Sequence, residues 1–332
     1  MTKTRTIKVL TWNLNTGHGP RGNVRDRIGR DVLIENLDRI ALVIKTVNPD
    51  FACLQEVDFR WAGTHNINQR RYLREATGMP QAASTMHHRR IISNFVAKLI
   101  GNYIPSIFER YFGTAILSKF PIIQRTGYTF GQDFSRYETI NEVLKLLNES
   151  KGYTKIEVEV DGRRISVMDV HLVSDIMYHV FKYLTKRDIY GITFVKEWQV
   201  QRVLRYIAAE RNPLILAGDL NSIPPESERT DFAGDTNGDH DNYTRDKTMR
   251  LIRESGLIRT FPILFGEGNA ADISRCNTYP TLGPNRVLDY IFVTPHFEIL
   301  DCEVLTGHGI LAEPGIAMPS DHLPVLATVR LI

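Results

Sequence analysis

The chain has little cysteine and no long apolar run. Only three cysteines occur among its 332 residues, and Cys53, Cys276 and Cys302 lie far apart. This number and spacing predict neither a disulfide framework nor a zinc site. No stretch is apolar for long enough to span a membrane, and the first apolar run begins at Ile7, which leaves no room for a signal peptide. We therefore expect a cytoplasmic protein without a transmembrane segment.

A strong charge of either sign is also lacking, as are internal repeats and low-complexity segments. The formal net charge is +3, which is too small to predict nucleic-acid binding by itself but does not oppose an anionic substrate. With 42% hydrophobic and 24% charged residues, the composition excludes disordered and fibrous classes. A chain of 332 residues can bury a large core.

What the chain does contain is a series of apolar runs that stop abruptly on polar residues. Buried strands have no use for carboxylates unless these are paired or bind a metal. So many polar strand ends therefore indicate one metal-assisted catalytic site. The runs and their polar residues are 7–12 with Asn13, 51–54 with Gln55 and Glu56, 165–170 with His171, 214–217 with Asp219 and Asn221, 287–293 with the internal Asp289, and 323–326 preceded by Ser320, Asp321 and His322.

Periodic apolar residues and turn signals predict both helices and strands. Residues 32–47 carry apolar side chains at helical spacing before Pro49, and a second helix is expected around 194–210. Residues 153–160 alternate, and Asp161-Gly162 is expected to turn them into a hairpin with residues 165–171. Because strands arrive both as hairpins and after helices, a mixed sheet arrangement in an α/β fold is expected.

Further strands are expected in both halves of the chain. Residues 112–118 and 122–130 resemble a strand pair around Pro121, and later strands are expected at 214–221, 288–293, 303–306 and 323–331. Because polar residues from both halves are needed for one site, we expect a single domain over residues 1–332.

Two segments, near 84–110 and 174–196, look like insertions into that domain. Within them, residues 91–103 and 176–195 carry apolar side chains at helical spacing together with basic residues. Two helices packed on the core would explain this pattern. The other interpretation is an apolar, basic-edged lid beside His171 that contacts another hydrophobic partner or lipid, in the second case as a peripheral membrane surface.

Glu56 and Asn13 suit a hard divalent cation such as Mg²⁺. This ion prefers oxygen ligands and keeps several waters, so one or two carboxylates can hold it. Glu56 at the end of a buried strand fits that role, and Asn13 offers a neutral oxygen that helps to place the metal. Taken alone, Glu56 is better explained as an exposed acid at a strand end.

The segment Gly218-Asp219-Leu220-Asn221 gives a stronger indication. Glycine allows a tight turn after an apolar strand, and alternate side chains of an extended chain point to the same side. Asp219 could then accept a proton from water while Asn221 donates to a phosphoryl oxygen. The alternative is an Asx-turn that merely closes a strand.

A buried acid and two histidines complete the pattern. Asp289 inside an apolar run can fix the tautomer of His322 and keep the ring charged toward a phosphate. His171, which follows Asp169 and Val170, is a second candidate. A structural role would explain either histidine when it is considered alone.

Together these segments resemble the endonuclease/exonuclease/phosphatase superfamily, which has the deoxyribonuclease I-like fold. Each segment is short, but six in the family's order are hard to obtain by chance. The resemblance implies a four-layer α/β fold, in which two mixed β-sheets pack as a sandwich flanked by helices and the site lies at one rim. The matching segments are Thr11-Trp12-Asn13, Leu54-Gln55-Glu56, Asp169-Val170-His171-Leu172, Gly218-Asp219-Leu220-Asn221, Leu288-Asp289-Tyr290 and Ser320-Asp321-His322.

The resemblance implies a divalent metal, Mg²⁺ or Mn²⁺. By matching position, Glu56 is the principal ligand, Asn13 supports it and Asp321 lies near the metal. Asp219 would orient or deprotonate the attacking water, and Asn221 would hold the phosphate.

The resemblance also implies roles for the histidines. His322, oriented by Asp289, would stabilise the phosphoryl charge, and His171 would be the second histidine that faces the phosphate. Glu109 of Glu109-Arg110-Tyr111 is nominated as the acidic partner of His171. The implied reaction is in-line attack of water on phosphorus, with catalysis by positioning and charge neutralisation.

The substrate expectation is a phosphodiester in nucleic acid or a nucleotide. The segment around His171 resembles the deoxyribonuclease, deadenylase and sphingomyelinase branches, whereas the inositol-polyphosphate phosphatase pattern is missing around Asp289. A phospholipid or sphingolipid headgroup is the rival substrate, motivated by the apolar inserts. A catalytically inactive binding protein of the same fold is a third hypothesis, but every motif position keeps its functional residue. The oligomeric state stays open.

A further acidic segment imitates part of a calcium loop. Asp235, Asn237, Asp239 and Asp241 alternate as oxygen ligands would, but the glycine at the sixth position and the glutamate at the twelfth are missing. A weak Ca²⁺ site and a solvated acidic loop are the two interpretations.

Overall fold

Twelve strands and four helices occur in the described part of the chain. The structure is a computed structural model that describes residues 5–22, 27–90, 109–130, 151–174, 191–223, 247–261, 275–307, 310–311 and 317–332, with only the backbone at 88–90, 109–110 and 191–195. The helices are α1 (Arg30–Val47), α2 (Gln69–Thr77), α3 (Gly191–Ala208) and α4 (Thr248–Glu254). The strands are β1 (Thr6–Asn13), β2 (Phe51–Arg60), β3 (Gln81–Arg90), β4 (Glu109–Ser118), β5 (Ile122–Thr129), β6 (Gly152–Val160), β7 (Arg163–His171), β8 (Leu214–Asp219), β9 (Ile258–Arg259), β10 (Asp289–Val293), β11 (Phe297–Val304) and β12 (Val325–Leu331).

The strands form two six-stranded mixed sheets. The first sheet has the order β11-β12-β1-β2-β4-β3 and the second the order β5-β6-β7-β8-β10-β9. β1 runs parallel to β2 and β7 parallel to β8, whereas the other paired strands are antiparallel. Each sheet therefore has one parallel strand pair near its centre, and this is the mixed sandwich that the sequence predicts.

Alternation along β1 decides which core each side chain enters. Ile7 and Val9 join the large core that also contains the apolar residues of the second sheet, while Leu10 and Trp12 join the core formed with α1. This period of two follows from strand geometry. It places Asn13, the last residue of β1, on the side that faces the second sheet.

The β6–β7 hairpin is confirmed. Val160 pairs with Arg163, and the two turn residues Asp161 and Gly162 have φ values of 51° and 77°. Positive φ at both central residues is the geometry of the tight turn that an Asp-Gly pair favours.

The predicted pairing of residues 112–118 with residues 122–130 is wrong. β4 pairs with β2 and β3 in the first sheet, whereas β5 pairs with β6 in the second. The chain therefore crosses from the first sheet to the second between β4 and β5. The connecting residues are held by hydrogen bonds from the Lys119 N–H to the Asp50 carbonyl and from the Phe120 N–H to Ser118 Oγ. Alternation reveals that a strand exists but does not identify its partner.

Several predictions fall on residues outside the described part. These are the helices expected in 91–103 and 176–195, except for the start of α3, and the calcium loop of Asp235, Asn237, Asp239 and Asp241. Residues 84–90 of the first predicted insertion form the second half of β3. The single domain over 1–332 stays a prediction. In the described residues, no helix combines the length and apolarity needed to cross a bilayer.

Candidate active site

The polar strand ends meet at one rim of the sandwich. Asn13 is the neighbour of Gln55 in the first sheet, and Asp219 is the neighbour of both His171 and Asp289 in the second. Asn13 Nδ2 donates to Asp219 Oδ2 at 2.9 Å and so joins the two sheets directly. The site is built where β1, β7 and β8 end, beside the middle of β2.

His322 and Asp289 form a buried pair in this rim. His322 Nδ1 lies 2.8 Å from Asp289 Oδ2. Burial alone would lower the pKa of His322, but the Asp289 carboxylate, with Asp219 and Asp321, raises it to about 10. The ring is therefore an imidazolium at neutral pH, and its Nε2–H stays available to donate.

The loop before β12 fixes the position of this histidine. Ser320 Oγ donates to the Asn13 carbonyl at 2.7 Å, and Trp12 Nε1 donates to the His322 carbonyl at 2.9 Å. The Tyr279 ring packs against the imidazole with 4.8 Å between ring centroids. The sequence motifs contain Trp12 and Ser320, but their positioning role and that of Tyr279 were not predicted.

Asp219 is a buried acid between the two sheets. Burial and the neighbouring Asp289 raise its pKa, while His322, Asn13 and Lys151 lower it, and the result is about 7. Gly218, just before it, lies inside β8, where a Cβ would be 1.9 Å from the Val170 carbonyl oxygen. This glycine is needed for close approach of β7 and β8, and not for the turn that the sequence suggested.

Asn221 departs from the extended geometry expected of it. Its φ is 47°, its backbone N–H donates to Asp219 Oδ1 at 2.9 Å, and its Nδ2 donates to the Leu172 carbonyl at 3.0 Å. The Asx-turn offered as the alternative is therefore present. The expectation that Asp219 and Asn221 alternate along one extended strand is wrong, because β8 ends at Asp219 and Asn221 has a left-handed backbone.

Glu56 does not end its strand. β2 continues to Arg60, its register against β4 shifts between Leu54 and Val57, and Glu56 has a φ of 51°. This is a β-bulge, which re-aims a side chain at a sheet rim. The Glu56 side chain is 19% exposed, so the bulge presents a carboxylate at the surface of the site.

Lys151 is a site residue that the sequence reasoning missed. Its Nζ lies 2.9 Å from His171 Nε2 and 3.4 Å from Glu56 Oε1, and the residue is 3% exposed. The Asp161-Gly162 turn could have revealed it. Pairing Val160 with Arg163 places Gly152 opposite His171, and Lys151 directly precedes Gly152.

His171 lies among charged groups but is itself neutral. Burial lowers its pKa well below the ordinary value, and Lys151, His87 and His322 lower it further. Its Nε2 lies 3.4 Å from Asp219 Oδ2. Glu109, nominated as its acidic partner, begins β4 opposite Arg90, but its side chain is outside the described part, so the nomination stays a prediction.

A second polar link between the sheets lies behind the site. Gln55 Nε2 donates to Asp169 Oδ1 at 2.6 Å and to Thr11 Oγ1 at 3.0 Å. Asp169 is fully buried, and burial, with the nearby Asp219, raises its pKa well above the ordinary value. Asp169 therefore joins the strands that carry Glu56 and His171.

The donor set at this rim fits a divalent metal. Burial raises the pKa of Asp321, and Glu56 raises it further against the opposing effect of His322, to about 6. The carboxylates of Glu56 and Asp321 therefore repel each other, and a hard cation bound between them would relieve this repulsion. Asn13 adds a neutral oxygen. Atoms of Asp219, Asp289 and His322 also lie within 4.8 Å of one another and could hold a metal.

Comparisons with known proteins agree with this architecture. A crystal structure of an endonuclease/exonuclease/phosphatase from Beutenbergia cavernae is 20% identical, with a TM-score of 0.63 over 98% of this chain and 72% of that one. A humanized D. rerio TDP2 is 14% identical, with a TM-score of 0.57 over 98% and 99% of the two chains. The human Nocturnin catalytic domain, solved with a sulfate anion, is 15% identical, with a TM-score of 0.56 over 98% and 95%.

These structural likenesses show the fold. Sequence comparison with curated proteins finds no significant match. The Endonuclease/Exonuclease/phosphatase family, in contrast, matches residues 10–322, which include all six segments singled out in the sequence. The chain belongs to the endonuclease/exonuclease/phosphatase family.

Proposed function

We propose that the chain is a divalent-metal-dependent phosphodiesterase that hydrolyses nucleic acid or nucleotides by in-line attack of water on phosphorus. The observation that carries this proposal is the buried group of Asp219, Asp289 and His322, whose ligand atoms lie within 4.8 Å of one another. Within it, a carboxylate with a pKa of about 7 lies next to an imidazole with a pKa of about 10. A base and a cation side by side are what hydrolysis of an anionic ester needs.

Asp219 is proposed as the group that orients the water and accepts its proton. A general base works best when its pKa lies near the working pH, and a value of about 7 meets this condition. Asn13 Nδ2 and the Asn221 backbone N–H hold the two carboxylate oxygens at 2.9 Å each. The carboxylate is thus fixed before a substrate arrives, which lowers the entropic cost of positioning.

His322 is proposed as the donor to a phosphoryl oxygen. With Nδ1 held by Asp289, Nε2–H can donate while the ring keeps its positive charge. Such a preorganised charge opposes the negative charge that develops on the phosphoryl group. It could contribute about a hundredfold to ten-thousandfold in rate.

The proposed phosphate contacts also include His171 and Asn221. His171 is neutral, so the positive charge on its side of the site comes from Lys151 at 2.9 Å. Asn221 uses Nδ2 for the Leu172 carbonyl but retains a second amide hydrogen. These groups surround the place where the phosphate would lie.

Glu56 and Asp321, with the Asn13 oxygen, would hold Mg²⁺ or Mn²⁺. When bound, the metal supplies charge neutralisation at a phosphoryl oxygen. We favour this set over Asp219, Asp289 and His322, because Nδ1 of His322 is already held by Asp289 at 2.8 Å. Oxygen-only donors also suit these hard cations better than a set that contains imidazole.

The rival substrate, a lipid headgroup, depends on segments 91–103 and 176–195, and no described residue favours it. The test is a hydrolysis screen with Mg²⁺ on oligonucleotides, nucleotides and phospholipid vesicles. Three proteins are compared: the parent, His322→Gln, and His296→Gln as a matched control at an exposed histidine.

We expect Mg²⁺-dependent oligonucleotide or nucleotide cleavage by the parent and the control, with His322→Gln at least about a hundredfold slower. If only vesicle lipid is cleaved, the proposed nucleic-acid or nucleotide substrate is wrong and the lipid headgroup is the substrate. Equal rates for parent and His322→Gln would refute the proposed mechanism. An inactive parent on every substrate would favour the binding-protein hypothesis.

A further inference from the structure

A cavity of about 810 Å³ opens where the edge strands of the two sheets, β3 and β5, lie side by side. We call it the arginine pocket, because Arg60, Arg70 and Arg125 line it. Hydroxyl groups contribute to its wall, and two of them are joined where Thr154 Oγ1 donates to Thr85 Oγ1 at 2.9 Å. The pocket therefore offers many hydrogen-bond donors in one place.

In the described part of the chain, no acidic residue of the lining balances the positive charge of the arginine pocket. Among the described lining residues none is acidic, and no described carboxylate forms an ion pair with its three arginines. Burial lowers the pKa of Arg70, and the charges of Arg125 and Arg74 lower it further, so the guanidinium groups repel one another. By contrast, Arg71 on the same helix lies 2.9 Å from Glu75.

The start of α2 adds to this charge. Asn68 caps the helix and lines the pocket, and the first turn of α2 contains no acidic residue. Helix N-termini attract anions and disfavour cations. Arg70 is nevertheless placed in that turn, with Nη1 donating to Ser84 Oγ at 3.0 Å across the pocket. An arginine in the first turn of a helix and next to other arginines is unfavourable, and a bound anion would stabilise this arrangement.

The arginine pocket shares two strands with the catalytic rim. Arg60 follows Glu56 by four residues on β2, and Thr154 of β6 follows by three residues Lys151, which directly precedes that strand. Because β2 is irregular between these residues, a rise of about 3.3 Å per residue sets an upper bound, and the separation is at most on the order of 10–13 Å. A ligand that reached both places would need more than one phosphate group.

We propose that the arginine pocket binds a second phosphate group of a substrate that carries several phosphates, such as an oligonucleotide, while another phosphate occupies the catalytic rim. The bidentate geometry of guanidinium groups suits phosphate oxygens. The substrate part of this inference rests on the proposed phosphodiesterase function, whereas the capacity to bind phosphate does not.

The first test measures binding without turnover. Titration calorimetry with tripolyphosphate in EDTA compares the parent, Arg70→Gln/Arg125→Gln, and Arg39→Gln/Arg71→Gln, which removes the same charge from two arginines that are ion-paired outside the pocket. His322→Gln is the fourth protein. We expect the pocket variant to bind at least about tenfold more weakly, since each lost hydrogen bond between charged groups weakens binding by roughly tenfold or more. The charge control should remain within about twofold of the parent. His322→Gln, which affects only the catalytic rim, should keep the binding that the pocket variant loses.

The second test separates substrates by their number of phosphates. The pocket variant should raise KM for a short oligonucleotide about tenfold at unchanged kcat. It should leave hydrolysis of bis(4-nitrophenyl) phosphate, which has one phosphate, at the parent rate. Melting temperatures of all variants establish that each is folded.

Each outcome decides the proposal. An unchanged KM for the oligonucleotide, or tripolyphosphate binding that survives in the pocket variant but is lost in His322→Gln, would overturn it. Loss of binding in the control variant equal to that in the pocket variant would also overturn it, since net charge alone would then be responsible. If the parent hydrolyses nothing, the proposed function fails, and calorimetry still decides whether the pocket binds phosphate.

Discussion

Replacing Asp289 by asparagine should turn His322 from a cation into a neutral ring at pH 7. The Asp289 carboxylate is the main reason that the pKa of His322 stands at about 10 instead of 6.5, because burial acts in the opposite direction. The difference between those two values corresponds to roughly 5 kcal/mol. Removing one partner of a buried ion pair typically costs about 3–5 kcal/mol, which agrees.

The variant can avoid this cost by releasing the proton of His322. At pH 7 the folded variant would then carry a neutral imidazole that cannot donate with a positive charge to the phosphoryl group. We expect kcat at pH 7 to fall about a hundredfold or more. The pH dependence of stability should change too. In the parent, the stabilisation from His322 is complete below pH 6.5 and is lost as the pH rises toward about 10.

Two assays check this reasoning. An NMR titration of the imidazole nitrogens should show His322 protonated at pH 8 in the parent and neutral in Asp289→Asn, and kinetics at the same pH should follow. Asp50→Asn is the matched control, because Asp50 is also buried and forms an ion pair, in its case with Arg5. Asp50 directly precedes β2 and so lies at the end of that strand away from the catalytic rim. A ring that stays protonated at pH 8 in Asp289→Asn, or a kcat within about threefold of the parent, would refute the argument.

Three further changes have definite expected outcomes. The value of kcat/KM should rise as Asp219 loses its proton near pH 7 and fall as His322 loses its own near pH 10, and a flat profile between pH 5 and 11 would contradict these roles. Lys151→Met should raise the pKa of His171 in an NMR titration, because the lysine charge lowers it, and an unchanged pKa would contradict their contact. Gly218→Ala should lower the free energy of unfolding in urea by about 2–4 kcal/mol, since its Cβ would overlap a backbone carbonyl; no loss would show that β7 and β8 can separate.

Several local rules of the sequence agree at the polar rim. Apolar alternation fixes which side chains of β1 face the second sheet, so Asn13 points where its motif requires. The Asp161-Gly162 turn fixes the register of β6 against β7 and therefore the neighbours of His171. No local rule pairs Asp289 with His322, which lie far apart in sequence. Their pairing is expected from the family resemblance and from the need of a buried acid for a partner.

Other elements leave too weak a pattern for prediction. α2 has only two buried residues, Gln69 and Leu73, and one of them is polar, so its helical stripe cannot be recognised. β3 is an edge strand with few large apolar side chains. The bulge at Glu56 depends on the partner strand β4, because a register shift is a property of two strands and not of one.

The central claim is that the rim formed by Glu56, Asp219 and His322 directs water onto phosphorus. The most direct test is hydrolysis of an oligonucleotide in ¹⁸O-labelled water with Mg²⁺, followed by mass spectrometry of the products. We expect ¹⁸O to enter the phosphate of the product, at a rate that depends on Mg²⁺ and is lost in His322→Gln. Label that appears outside the phosphate, or that enters equally fast in His322→Gln, would contradict it.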